Sequence, residues 1–383
     1  MNDRDLQHEL RTMIDGAATP VSAAEARLRA RGPVSPRTSL RQQGLWAHRA
    51  IVVAVAAPIL VVFFAPLPHI GLFKRLVNTA KTSPAAGGPA PGTVFVANAG
   101  RTGGGTGNGS VTAYRLSATG NARPNVVITA GINGPSGLAF DAAGNLWVRD
   151  VDGVVVEYNK AELDKASPVP TILILSPSLN DTEGGLAFDS SGDLWVTNAT
   201  SDAVEFTSAQ LAKSGSPTGR VIIHDPSMCG VVFDRSGNLW SGGTDTVFEF
   251  AKAHLAKSGY PTPQVTIASE SLGGPCRPAF DSSGDMWVAN YHGATVVEFT
   301  KADLARSGSP APQVMIFPNS LSNPGSVALD SSGDLWVPNA GTNAIFEFAK
   351  AQLAKSGFRA PAENIAGPAT GLNWPWALAI EPQ

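Results

Sequence analysis

The sequence predicts an all-β protein: a six-bladed β-propeller with four-stranded blades and short helical inserts, preceded by one transmembrane helix. Two observations lead to this fold class. A segment resembling Gly-Leu-Ala-Phe-Asp, followed by a turn and Leu-Trp-Val, recurs five times with its tryptophan every 45–49 residues. Ahead of these repeats, the eighteen residues 50–67 carry no charge. Repeats of about 40–50 residues built from short strands are typical of propeller blades, and an uncharged run of this length is typical of a membrane span.

The uncharged run sets the N-terminal organisation. Residues 1–45 are predicted to be a mostly flexible cytoplasmic stub, 46–73 the transmembrane helix, and 74–92 a linker rich in Pro, Gly and Ala. More Arg and Lys precede the span than follow it, which favours a cytoplasmic N-terminus and an extracytoplasmic propeller. A cleaved export signal or a buried core helix are the alternatives. The predicted location is a bacterial cell membrane, crossed once.

Charge and cysteine content exclude several classes. Residues 82–383 carry 17 Lys and Arg against 26 Asp and Glu, a net charge of −9. Because nucleic-acid binding needs clustered basic side chains, nucleic acid is excluded as a partner. With only two Cys in the chain, a disulfide-framework fold and a four-cysteine zinc module are also excluded.

Each repeat is interpreted as four strands in a fixed order. A short apolar first strand leads through an Asp-x-x-Gly-Asn/Asp turn to the second strand, which carries the Trp. A third strand such as Ala203–Phe206 follows, then a helical insert and an outer strand such as Val265–Ala268. Residues 93–383 hold five complete copies and one split copy. Its second strand contains Phe95, and its first strand is the segment 377–381 at the far end, so that pairing of the chain ends closes the ring.

Most repeated side chains have a structural explanation. The Trp and Phe of each repeat are predicted to be core. The turn Asp residues are predicted to bond to their own turn's amides, with a calcium loop as the less favoured interpretation. The third-strand acids each precede a Lys by three residues, which predicts surface ion pairs. These acids are Glu157, Glu249, Glu298 and Glu347.

The clearest repeat, at 185–196, reads Gly-Leu-Ala-Phe-Asp-Ser-Ser-Gly-Asp-Leu-Trp-Val and is followed by Glu-Phe in the third strand. This motif resembles the NHL-repeat family and its relatives, the gluconolactonase-like proteins and virginiamycin B lyase. The resemblance covers roughly residues 93–383. It implies an NHL-like propeller, but it does not decide function, because propellers include enzymes, receptors and scaffolds.

In such a propeller, first strands begin and second strands end on one face, the upper face, around a central channel. The second-strand ends supply a polar ring, which either caps turns or binds ligand. Larger side chains nearby could stack on a sugar or hold a peptide. The ligand-binding candidates are Asn98, Arg149, Asp150, Asn198, Arg277, Asn290, Tyr291, Asn339, Trp374 and Trp376.

The enzymatic relatives supply a competing hypothesis. Gluconolactonase-like proteins place metal-binding carboxylates at first-strand entrances, but here the nearest acid is Glu183, one residue too early. The resemblance to virginiamycin B lyase implies a catalytic His, for which His292 and His224 are the candidates, with Glu183 nearby. No cofactor is predicted; a divalent metal enters only under this enzyme hypothesis.

Cys229 and Cys276 occupy equivalent positions, immediately before the first strands of adjacent blades. In an extracytoplasmic domain an interblade disulfide between them is one of two equally weighted hypotheses. Two buried reduced thiols are the alternative.

The preferred functional hypothesis is a membrane-anchored, non-catalytic binding module, with a protein, peptide or glycan of the envelope as its ligand. A hydrolase or lyase acting at the upper face is the first alternative. An envelope sensor relaying to a cytoplasmic partner is the second.

Overall fold

The structure is a computed structural model that describes residues 92–100, 109–179, 184–198, 202–225 and 227–382. The predicted stub, the predicted transmembrane helix and nearly all of the predicted linker lie outside these ranges. Within them, no helix is both long enough and apolar enough to cross a membrane. The described part is an all-β propeller, as the sequence predicted, and the anchor stays a prediction.

Six antiparallel sheets of four strands form the propeller, numbered as blades I to VI in chain order. The strands of blades I to III are β1 (Thr93–Asn98), β2 (Ser110–Arg115), β3 (Val126–Ile128) and β24 (Pro375–Ile380); β4 (Pro135–Phe140), β5 (Leu146–Asp150), β6 (Val154–Tyr158) and β7 (Ile172–Ile174); and β8 (Leu186–Phe188), β9 (Leu194–Thr197), β10 (Asp202–Phe206) and β11 (Val221–His224). The strands of blades IV to VI are β12 (Val232–Phe233), β13 (Leu239–Gly242), β14 (Val247–Phe250) and β15 (Val265–Ile267); β16 (Ala279–Phe280), β17 (Met286–Asn290), β18 (Thr295–Phe299) and β19 (Val314–Ile316); and β20 (Ala328–Leu329), β21 (Leu335–Asn339), β22 (Ala344–Phe348) and β23 (Glu363–Ala366). The inserts that follow the third strands are short helices: α1 (Lys160–Leu163), α2 (Ser208–Leu211) and the 3-10 segments Lys252–Ala256, Asp303–Ala305 and Lys350–Ala354.

Blade I closes the ring with strands from both ends of the described chain. β24 pairs antiparallel with β1, so that Ala97 lies opposite Ala377. The sequence placed this closing strand at 377–381, but it begins two residues earlier because Pro375 pairs with Asn98 across a bulge. The split repeat is therefore a complete four-stranded blade.

Aromatic rings fill the space between successive blades. Trp147 of blade II meets Phe188 of blade III edge to face, with ring centroids 5.8 Å apart. The same contact recurs between blades III and IV and between blades IV and V. Because each Trp packs against the first strand of the next blade, the Trp repeat forms the core, as predicted.

The turns between first and second strands lie on the lower face, and their Asp side chains bond both to the turn's own backbone and, in four of the blades, to the indole N–H of the repeated Trp. In blade II, Asp141 Oδ1 accepts hydrogen bonds from the amides of Ala143 and Asn145, both at 2.9 Å, as the sequence predicted. The Oδ2 atom of Asp141 accepts a hydrogen bond from Trp147 Nε1 at 3.1 Å, which the turn motif alone does not predict. The same indole bond recurs in blades III, IV and VI.

The third-strand glutamates contradict the predicted surface ion pairs. Glu157 and Glu249 are 5% and 4% exposed, and none of the four predicted Glu–Lys pairs forms an ion pair in the described residues. The strand register pairs Glu157 with Trp147, where it feels the charge of Asp141 in the lower-face turn, whereas the Lys160 side chain lies against Gly144 of that turn. Burial, and secondarily the charge of Asp141, raise the pKa of Glu157 to about 7.

A Ser-Gly pair after four of the inserts covers the rim. Gly215 pairs with Ile174 on the outer strand of the preceding blade, and Ser214 Oγ accepts from the Leu173 amide at 3.0 Å. The next three inserts make the same serine bond. The outer strands are sheet edges, so these pairs cover backbone groups that would otherwise be open to pairing with another chain.

Candidate functional site

The polar ring at the ends of the second strands is engaged by the fold. Asn290 Oδ1 accepts from the amide of Gly273 at 3.1 Å, in the loop that enters blade V, and Asn339 holds the equivalent loop of blade VI. Asn98 and Asn198 bond to their entry loops in the same manner. All four are at most 5% exposed. They therefore cap loops, which is one of the two roles that the sequence predicts for the polar ring.

Arg149 and Asp150, which end the second strand of blade II, are enclosed. Arg149 is 0% exposed, and its Nη1 donates to the carbonyl of Asp150. The Asp150 carboxylate accepts from the amides of Asn133 and Gly134, at 2.7 and 3.0 Å. Burial raises the pKa of Asp150 to about 6, although these amide bonds oppose the shift. Both residues are therefore buried beneath the upper face, where they form hydrogen bonds to its backbone.

Arg277 extends through a space that glycines leave open near the propeller axis. It occupies the first-strand position of blade V that is Gly185 in blade III and Gly230 in blade IV. Its Nη2 donates to the carbonyl oxygen of Gly184, two blades away, at 3.0 Å. A Cβ on Gly230 would lie 2.6 Å from Arg277 Cγ, and one on Gly185 would lie 3.3 Å from its Nε. The glycines are therefore required for the path of the arginine.

Aromatic side chains flank this arginine. The guanidinium carbon of Arg277 lies 5.6 Å from the ring centroid of Trp376, in the range of a cation–π contact. Tyr291 meets Trp376 edge to face at 5.3 Å, and the exposed His292 lies against Tyr291 at 4.9 Å. Trp374 is half-buried, with a φ of 55°. Arg277, Tyr291 and Trp376, the mouth cluster, are thus three sequence candidates that the structure brings together.

The two cysteines are joined in a disulfide beside the mouth cluster. The Cα atoms of Cys229 and Cys276 lie 5.0 Å apart, and the bond links the entrances of blades IV and V. Thr197 Oγ1 donates to the carbonyl of Cys229 at 3.0 Å, which extends the bracing to blade III. Because Arg277 follows Cys276 directly, the disulfide fixes the backbone from which Arg277 projects.

One further polar side chain at the mouth, Ser326, was not identified from the sequence, and it shares a feature with Trp376. Ser326 is 2% exposed and its Oγ has no hydrogen-bond partner; Trp376 Nε1 is also shielded from solvent and lacks a partner. Ser326 stands in blade VI at the position that Arg277 occupies in blade V. The only signal was positional: these two blades place polar side chains where blades II to IV have glycine.

The catalytic candidates do not come together in the described residues. Glu183 lies outside them. His224 ends β11, with Nδ1 2.8 Å from Asp202 Oδ1 and its ring stacked on Tyr260. β11 is the outer strand of blade III, so three strand spacings, roughly 14 Å, separate His224 from the innermost strand. His224 is therefore a rim residue, whereas His292 adjoins the mouth cluster.

Carboxylate clusters occur on the lower face instead of the mouth. Two triads have ligand atoms within 4.8 Å of one another: Asp189, Asp193 and Glu205, and Asp281, Asp285 and Glu298. In the first, the Arg220 guanidinium pairs with Glu205 and supplies the compensating positive charge. Over the residues that the structure describes, no comparable triad lies at the upper mouth.

Comparisons with known proteins identify the architecture. No family model matches the chain, and no curated protein matches it. Among solved structures, the nidogen/laminin complex is similar with a TM-score of 0.52 and 15% identity over 76% of this chain and 99% of that one. A protein of unknown function from Bacteroides caccae has a TM-score of 0.50 and 12% identity over 77% and 100%. Virginiamycin B lyase from Staphylococcus aureus with quinupristin has a TM-score of 0.43 and 13% identity over 71% and 85%. At these identities the comparisons establish the fold alone, and the described chain is a six-bladed β-propeller.

Proposed function

We propose that the chain is a membrane-anchored extracytoplasmic protein whose propeller binds a ligand at the mouth of its channel without transforming it. The observation that carries the proposal is the mouth cluster. Arg277 extends through glycine-lined space to Gly184 and lies beside the half-buried ring of Trp376, against which the ring of Tyr291 packs. A few convergent polar groups beside aromatic rings are typical of sites that orient a ligand.

The bracing around the mouth supports binding over catalysis. A general acid or base must lie within hydrogen-bond reach of the substrate group whose proton it moves, and its pKa is tuned by its neighbours. The histidine that has a carboxylate partner, His224, is at the rim, and no hydrogen bond joins His292 to a carboxylate in the described residues. The disulfide and the buried Asn ring instead hold the mouth in one arrangement, which lowers the ordering cost of binding.

The direction of the chain supports presentation of this mouth to the envelope. β1 is a second strand, so it runs from the lower face at Thr93 to the upper face at Asn98. The described chain therefore enters the propeller at the lower face and reaches the mouth at the end of β1. The proposed ligand of the mouth is an envelope peptide, protein or glycan.

A hydrolase or lyase remains the competing function. The observation that favours it is the bond from Arg277 to Gly184. This bond places Gly184 at the mouth, and Gly184 is the residue directly after Glu183 in the sequence. Such an enzyme would use Glu183 with His292, and a divalent metal would assist it.

Both functions are tested with the full-length chain in detergent, applied to arrays of bacterial envelope glycans and peptides. We expect stable capture without product, lost in Arg277→Ala and kept in Arg235→Ala, a matched lower-face control with an exposed side chain. Capture unaffected by Arg277→Ala would refute the mouth as the site. If the chain converts an arrayed glycan or peptide into product, and His292→Ala or a metal chelator abolishes this conversion, the protein is an enzyme and the binding function is refuted.

A further inference from the structure

We infer that the lower face of blade V binds a calcium ion through the carboxylates of Asp281, Asp285 and Glu298. Asp281 and Asp285 belong to the turn between β16 and β17, and Glu298 belongs to the third strand, β18. The ion joins this turn to the sheet, on the face opposite the mouth. The inference concerns a second site and is independent of the proposed ligand of the mouth.

The first support is the geometry of the three carboxylates. One oxygen from each lies within 4.8 Å of the other two. Ca²⁺ takes oxygen ligands at about 2.4 Å, so oxygens on opposite sides of one ion are about 4.8 Å apart. All three side chains are half-buried. Asp281 also lines a cleft of about 290 Å³ between blades IV and V, so an ion can reach the cluster from solvent.

The second support is that the fold leaves oxygens of this cluster free. Asp281 Oδ1 accepts from two amides of its own turn, and Asp285 Oδ1 accepts from the Lys301 amide at 2.7 Å. Within the described residues, the Oδ2 atoms of both aspartates and the carboxylate of Glu298 accept no hydrogen bond. No ion pair among those residues reaches the cluster either. Three oxygens are therefore available to a cation.

The third support comes from the equivalent turns of other blades. Blades II and IV have Asn at the position of Asp285, and its Nδ2 donates to the turn Asp Oδ2 at 2.8 and 2.9 Å. Asp285 replaces that donor with a carboxylate, so two negative groups meet where those blades have a hydrogen bond. Blade III makes the same replacement, but there Arg220 pairs with Glu205 and lies 3.8 Å from Asp193 Oδ2. Blade V has Gln313 at the position of Arg220, so its cluster lacks this compensating charge.

The fourth support is a buried indole that has lost its acceptor. In blades II, III, IV and VI, the repeated Trp donates to Oδ2 of the turn Asp. Trp287 of blade V lies opposite Glu298 in the strand register and is 2% exposed, yet its Nε1 has no partner. Its counterparts show that this indole points toward the turn, so Asp281 withholds an oxygen from it. Loss of a buried hydrogen bond is unfavourable, and an ion bound to Asp281 offsets that loss.

The ligand set favours calcium over other cations. Three carboxylates, with water completing the shell, suit a hard cation, whereas thiolate and imidazole ligands suit zinc and copper. Mg²⁺ demands a near-ideal octahedron and is usually bound through only one or two carboxylates. Ca²⁺ accepts a flexible geometry with several carboxylates, which matches a cluster drawn from a turn and a strand.

The test uses the full-length chain in detergent, stripped with EDTA and then melted with calcium or magnesium added. Calcium at about a hundredfold over its dissociation constant should raise the melting temperature of the parent by a few degrees. Asp285→Asn, which reproduces the turns of blades II and IV, should lose this response, as should Glu298→Gln on the strand. Asp193→Asn, the matched change in blade III, should respond like the parent. In EDTA, Asp285→Asn should melt no lower than the parent, because it removes a repulsion; this separates loss of the ion from misfolding.

No effect of calcium on the parent would overturn the inference and leave the cluster neutralised by a proton or by Lys301. An equal rise in Asp285→Asn would place the ion elsewhere, and a response lost only in Asp193→Asn would place it in blade III. An equal response to magnesium would overturn the choice of calcium. The mouth is tested separately, because capture that depends on Arg277 should be the same in Asp285→Asn and in the parent.

Discussion

The lower-face turns and the upper-face mouth are built from the same repeat, but they use it differently. On the lower face, one Asp per repeat bonds to its own turn in each of blades II to VI, and four of these Asp residues also hold the repeat's Trp. At the mouth, equivalent positions hold Gly, Arg, Ser and Ala, and the bonds run between blades. The comparison teaches that identical copies stabilise the ring, whereas differences among copies create a site.

The difference predicts where substitutions change stability and where they change binding. Lower-face groups satisfy one another within a blade, so their loss is expected to destabilise the fold. The mouth cluster is held by elements around it and is expected to be dispensable for folding.

Removal of an interblade tryptophan is expected to have the largest effect. Trp195 is 1% exposed, packs on Phe233 and donates to Asp189. Trp195→Ala is expected to lower the free energy of unfolding by about 3–5 kcal/mol, because it leaves a cavity and an unpaired carboxylate oxygen. Urea unfolding measures this loss. Trp374→Ala is the matched control, because the Trp374 side chain is half-buried on the upper face. Equal losses of unfolding free energy in the two variants would contradict the difference between the two faces.

Loss of the disulfide is expected to be the next largest effect, and it is the one upper-face change that should affect both stability and binding. The bond closes a loop spanning 47 positions. The chain-entropy argument gives a stabilisation of about 2–4 kcal/mol. A double variant, Cys229→Ala with Cys276→Ala, should lose this stability and also the capture that depends on Arg277. A melting temperature that is the same with and without reductant in the parent would refute the contribution of the bond.

Much of the lower face could be predicted from the sequence, because spacing alone identifies equivalent residues. The tryptophan period predicted the blades, the split repeat predicted the closure, and the turn Asp predicted its own amide bonds. The burial of Glu157 was missed, because a Lys three residues later is as compatible with packing over Gly144 as with an ion pair.

The mouth was predictable only as a set of candidates. Arg277, Tyr291 and Trp376 stood out by residue type, but the bond from Arg277 to Gly184 joins residues 93 positions apart. Its path depends on Gly230 in the intervening blade IV and on Gly185 in blade III. Ser326 was missed because a lone serine in an apolar strand has no signature until its hydroxyl is seen to lack a partner.

Loss of a turn aspartate is expected to have an intermediate effect confined to the lower face. Asp141 accepts from two backbone amides, from Asn145 Nδ2 and from Trp147 Nε1. Asp141→Ala should cost about 2 kcal/mol, because the indole and one amide lose their acceptor inside the fold. Arg277→Ala, read in the same unfolding experiment, should change stability by less than half of that. A larger loss for Arg277→Ala would mean that the mouth supports the fold.

The smallest expected effect has the opposite sign and depends on pH. The pKa of Glu157 is raised to about 7, first by burial and then by Asp141, whereas its usual value is about 4.5. Between these values the folded chain binds more protons than the unfolded chain, so this residue lowers stability as pH rises through that window. Glu157→Gln should therefore stabilise the protein at pH 8, by about 1–2 kcal/mol, and leave it unchanged near pH 4. Glu205→Gln is the matched comparison in blade III, where burial also raises the pKa of the carboxyl group but the Arg220 guanidinium opposes the shift. The gain in stability at pH 8 should therefore be smaller for Glu205→Gln than for Glu157→Gln. Thermal melts of both variants across pH 4–8 measure the difference, and a gain for Glu157→Gln that is equal at both ends of the range would show that its ionisation is not the cause.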